Sequence, residues 1–143
     1  MSSSRPLALA AQPREAQRAM LLAGIGAWTV VVPYLASALG LAVKVPARVE
    51  FVDHVVPGVV IAAAGLYLYR LARGRSLSGE RYALLAAGAT FLAGFWVLAT
   101  HLPLVQDAAQ ERISWEAAIW HSISALPILA LAFWLVLRSI PEL

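Results

Sequence analysis

Cysteine is absent from all 143 residues. That excludes disulfides, thiolate metal sites, iron–sulfur clusters and cysteine nucleophiles. Charge is scarce too. Asp, Glu, Lys and Arg make up 13% of the chain, against about a quarter in a soluble domain. The remainder is 61% hydrophobic, with a mean hydropathy of +0.74. Such a chain is too apolar for disorder and too poor in charge to face water over most of its surface. Motifs of catalysis are missing as well. There is no phosphate-binding loop, no G-x-S-x-G and no dinucleotide fingerprint. The eight acids sit at the edges of apolar runs or between them, unlike the mid-membrane carboxylates of a proton-coupled carrier.

Four apolar runs are present, each near the roughly 20 residues that cross a bilayer. They cover about 19–39, 52–69, 82–100 and 117–137. Residues 1–18 read as a polar tail, and 19–143 as one four-helix transmembrane domain. The second run is the shortest and must borrow length from residues before it, towards Pro46. Backbone groups in lipid must be bonded internally. No alternating strands of barrel type appear. The expected fold is therefore an all-α membrane protein.

Basic residues set the expected orientation. Arg5, Arg14, Arg18, Arg70, Arg73, Arg75, Arg81 and Arg138 fall on one side, and Lys44, Arg48 and Arg112 on the other. Both termini and the central connector are thus expected to be cytoplasmic, in the cytoplasmic membrane of a prokaryote. The basic residues are spread by topology and are not interleaved with aromatics, so nucleic acid is not an expected partner. The expected partners are the lipid bilayer and other membrane subunits, or a second copy of the chain.

The two halves of the chain look alike. Gly26-Ala27-Trp28 corresponds to Gly94-Phe95-Trp96, and Pro33 roughly to Pro103. Asp53-His54 corresponds to Trp120-His121, each followed by a proline. Two helices per unit preserve direction, so the expectation is two parallel two-helix repeats. Trp28…Pro33, Trp96…Pro103 and Asp53-His54-Val55-Val56-Pro57-Gly58 resemble elements of the SPW-repeat family of small membrane proteins. The Ser-Pro-Trp triplet itself stands in neither half. The resemblance covers most of residues 20–138 and implies this architecture without implying a chemistry.

Small residues four apart mark expected helix contacts: Gly58 with Ala62, and Ala89 with Ala93. Trp28 and Trp96 are expected to find partners for their indole N–H groups within the bundle.

Ionisable residues at membrane depth point to function. From Arg70 to His54, and from Arg138 back to His121, the helical rise gives roughly 24–26 Å. From Arg81 to His101 it gives roughly 30 Å, at the outer surface. Equal height and equivalent place in the repeat pair His54 with His121. Such a pair offers axial ligands for a haem b, or flanks a quinone. A metal site drawing on His54, His101, His121, Asp53 and Glu116 is a further reading, and interfacial histidines without a ligand are another. No catalytic residue is expected. The chain reads best as a non-catalytic accessory or scaffolding subunit of a larger membrane assembly. The alternative is an electron-transfer subunit with haem or quinone near His54 and His121.

Overall fold

The computed structural model describes residues 13–40, 45–74, 80–122 and 125–139. Among them helix is the only regular secondary structure, without a strand. The helices are α1 (Pro13–Ala38), α2 (Ala47–Glu50), α3 (Val56–Ala72), α4 (Glu80–Ala109), α5 (Trp115–Ser122) and α6 (Ala125–Ser139). A π-helical turn, Phe51–Val55, joins α2 to α3. Four of the resulting helical runs are long and apolar enough to cross a membrane.

The helices are longer than the apolar runs alone suggest. Helix α1 begins at Pro13 rather than Ala19. A proline suits the first helical position, because its fixed φ is helical and its missing N–H is not needed there. Glu15 in the first turn complements the helix dipole. Helix α4 runs on through His101 and Pro103 to Ala109, where a connector from 101 was expected. The chain turns only at Gln110–Ser114. There Glu111 takes a positive φ of 58°, and Arg112 reaches back to Asp107 at 3.2 Å. Ser114 then caps α5, its Oγ accepting the Ala117 N–H at 3.2 Å.

Packing is built on small residues. Helix α1 lies against α3, and α4 lies against α6 and α3. Ala19, Leu22, Ile61, Leu68 and Ile128 form the buried core. A Cβ on Gly58 would stand 2.8 Å from the Gly26 carbonyl oxygen and 3.0 Å from the Val30 nitrogen. No side chain fits there, so these glycines are what allow the α1 and α3 backbones to meet. Ala93 packs beside the core, but Ala89 faces outward. Trp28 and Trp96 also face outward, 38% and 48% exposed, and not into the bundle as expected. At the opposite end from α2, the Arg18 guanidinium lies 3.9 Å from the centre of the Trp134 ring and ties α1 to α6.

Candidate functional site: a buried imidazole pair

The site begins with a proline. Pro57 has no N–H to give the carbonyl four residues back, and its ring crowds that carbonyl. The helix accommodates this by widening: the Val56 N–H bonds to the Phe51 oxygen, five residues earlier. Such π turns carry functional side chains often enough to merit inspection. This one carries His54, which it holds 3% exposed inside the bundle. His101, on α4, is equally buried at 3%.

The two imidazoles meet. His54 Nε2 lies 3.1 Å from His101 Nε2, and the rings stand edge to face at 87° with centroids 4.8 Å apart. Each ring is held from behind by its other nitrogen. His101 Nδ1 is 2.6 Å from the Val97 carbonyl oxygen, one turn back on α4, with the Thr100 hydroxyl at 3.1 Å. His54 Nδ1 is 3.1 Å from Glu50 Oε2, one turn back on α2. The Glu50 side chain is 16% exposed, so the row runs from near the surface into the bundle.

Hydrogen counting follows from the partners. A carbonyl oxygen only accepts, so His101 Nδ1 carries a hydrogen. A neutral His101 then presents the Nε2 lone pair, which takes a hydrogen from His54 Nε2. Between His54 Nδ1 and Glu50 lies one more hydrogen, belonging either to an imidazolium facing a carboxylate or to a carboxyl facing a neutral ring. Two hydrogen bonds and the Glu50–His54 contact thus hold three protons, with no net charge. Neutrality is what makes this row affordable at low dielectric, where a lone buried charge costs several kcal/mol or more. Moving the Glu50 hydrogen to His54 Nδ1 and the His54 Nε2 hydrogen to His101 Nε2 leaves a carboxylate at one end and an imidazolium at the other, while the His101 Nδ1 hydrogen keeps its bond to the Val97 carbonyl.

The sequence-named residues divide as follows. His54 and His101 come together. His121 lies on α5, and its side chain is outside the described residues. Glu116 is exposed in the first turn of α5. Asp53 is half-buried beside His54 in the π turn. Among the described residues no group of three or more His, Asp or Glu side chains is placed to hold a metal. Two features escaped the sequence reading. The burial of His101 follows from the length of α4. Counting heights from the basic residues places Arg70 and Arg81 at one level. With the two histidines in contact, Arg81 lies about four residues, or roughly 6 Å of helix, further from their level than Arg70 does. The role of Glu50 was legible from its spacing, since residues four apart share a helix face, but it was read as a boundary charge.

No family model, curated relative or solved structure matches the chain.

Proposed function

We propose that this protein is a small accessory subunit of a larger prokaryotic membrane assembly, and that its contribution is to store and relay a proton through Glu50, His54 and His101. The observation that carries this reading is the 3.1 Å contact between the two Nε2 atoms, closed at both ends by acceptors. Imidazole is the side chain best suited to gaining and losing a proton near neutral pH. With both termini cytoplasmic, as the basic residues favour, Glu50 opens at the outer face. The redox reaction that such a relay would serve belongs to the partner, which is where the electron-transfer reading of the sequence now lies. A haem held by this histidine pair is not favoured. Two nitrogens on opposite sides of an iron, each about 2 Å away, stand about 4 Å apart, so the contact would have to open by about 1 Å.

The two-repeat architecture and the SPW-repeat resemblance belong to the same proposal. Their support is the burial pattern. Ala19, Leu22, Gly26 and Thr29 are buried in α1, and Ala87, Thr90, Gly94 and Val97 in α4. Gly58, Ile61 and Gly65 in α3 correspond likewise to Ala125, Ile128 and Ala132 in α6. The outward faces of α4, with Leu85, Leu92, Phe95 and Leu102, offer surface to lipid or to a partner helix.

The test is isolation of the tagged chain from its native membrane in mild detergent. The expected result is co-isolation with at least one other membrane subunit at fixed stoichiometry. His54→Gln should preserve that assembly while lowering its proton-coupled turnover. A chain that isolates alone, or a His54→Gln assembly that turns over like wild type, overturns the reading.

A further inference from the structure

We infer that the groove between α1 and the α5–α6 pair is a binding site for one anionic phospholipid, with an acyl chain along the groove and the phosphate at its Arg14–Gln17 end. This site stands apart from the imidazole row and does not depend on it.

The groove follows from how the helices pack. Helix α1 lies closely along α3 and only sparsely against α5 and α6. The space left open measures about 880 Å³, within the roughly 300–1,000 Å³ of ligand sites. One wall is a stripe of α1. Gln17, Leu21, Gly24 and Trp28 line it, and spacings of three and four residues put them on one helix face. Trp120 of α5 and Pro127 of α6 belong to the other wall. Gly24 keeps the middle open: nothing lies within 4 Å of where its Cβ would stand. Leu21 and Trp28 are exposed, so in a bilayer the groove opens sideways to lipid.

Three observations select the occupant. The first is the lining. Apart from Gln17 and the two indole N–H groups its side chains are apolar, which suits hydrocarbon and leaves a polar ligand without partners. The second is length. From Gln17 to Trp28 the helix rises about 16 Å, against about 15 Å for the hydrocarbon of one leaflet. The third is charge, and it lies at one end. The α1 stripe continues one turn below Gln17 to Arg14, which is exposed. Arg18, on the edge of α1 towards α6, is held at the same end by the Trp134 ring. Glu15, the acid of this turn, stands nearly half a turn away around the helix from the stripe. A guanidinium matches the geometry of a phosphate, and basic pockets between membrane helices are where anionic headgroups bind. In the orientation favoured by the basic residues, this end meets the leaflet that carries such lipids.

The experiment is titration of the purified full-length chain, in a zwitterionic detergent, with phosphatidylglycerol whose acyl chains carry bromine, a quencher of nearby indoles. Saturable quenching at one lipid per chain is expected, with brominated phosphatidylcholine binding about fivefold more weakly or worse. Arg14→Gln should weaken the anionic lipid about fivefold, as loss of one arginine near the headgroups does, and leave the zwitterionic one unchanged. Gly24→Leu should abolish the saturable phase, because leucine fills the open middle of the groove. Its unfolding should match wild type, since the new side chain starts in empty space. Trp28→Phe combined with Trp120→Phe should remove most of the quenching while native mass spectrometry still counts one bound lipid. Equal affinity for the two lipids, wild-type binding by Gly24→Leu, or full quenching without the two indoles would overturn the site. So would a wild-type dimer that Gly24→Leu converts to monomers with lipid binding unchanged, which would assign the groove to a second copy. Co-isolation and turnover are separate measurements, so loss of this site and loss of the subunit reading are distinguishable.

Discussion

Gly26 and Gly58 face each other reciprocally across α1 and α3: a Cβ on either would lie 2.8 Å from the other's carbonyl oxygen. Neither obstacle is a flexible side chain. Both are backbone, so relief requires the two helices to separate. The π turn that leads into α3 carries His54, so the glycine contact also fixes where the imidazole arrives.

Gly58→Ala should therefore destabilise the bundle by about 1–3 kcal/mol, as overpacking does. Gly24→Ala should be neutral or slightly stabilising, because nothing lies within 4 Å of its Cβ position and alanine is the better helix former by about 1 kcal/mol. Gly94→Ala should fall between them, since its obstacle at 2.6 Å is the Ile128 Cγ2 methyl. Reversible unfolding in mixed micelles gives the three values. Equal effects at Gly24 and Gly58 would remove the close-approach argument.

The histidine pair should behave as one unit. Either His54→Ala or His101→Ala leaves a buried nitrogen without its partner, at about 1–3 kcal/mol. The double variant should cost clearly less than the sum, with a coupling of about 0.5–3 kcal/mol. Unfolding of the four proteins in the cycle measures it. Strict additivity would mean that the two rings do not interact.

Pro57→Ala tests the origin of the π turn. With an N–H restored and the ring removed, an ordinary helical turn becomes available, and His54 would swing away from His101. The expected outcome is a folded, helical protein in which the coupling between the histidines falls below about 0.5 kcal/mol. Full coupling in the Pro57→Ala background would show that tertiary packing, not the proline, shapes the turn.

Orientation is open to direct labelling, because the chain has no cysteine of its own. A cysteine at Ser76 should resist an impermeant thiol reagent in intact cells. One at Ala109, which is exposed at the end of α4, should react. The reverse pattern would place the Glu50 end of the relay inside.

Much of the fold was legible from composition, because hydrophobic length alone decides how many times a chain crosses a bilayer. The Gly58–Ala62 contact was legible too, since only small residues let backbones touch. The contact expected at Ala89 is not formed, since Ala89 faces outward; alanine is so frequent here that its spacing carries little information. The site was half legible. Three histidines at membrane depth stood out, but which two meet depends on helix levels and on a widened turn. Hydropathy is blind to both. Pro57 was the available signal: a proline three residues after a histidine alters the direction in which that histidine points.

The Glu50–His54 pair is made within one helical segment, whereas the His54–His101 bond spans 47 residues. At about 5–20 residues per second, synthesis brings His101 to the membrane roughly 2–9 s after His54. Neither the glycine contact between α1 and α3 nor the Glu50–His54 contact needs any residue of α4. Arrival of α4 then completes the row, so the imidazole pair forms only once the third long helix is in place, and a chain truncated before it would carry His54 without His101.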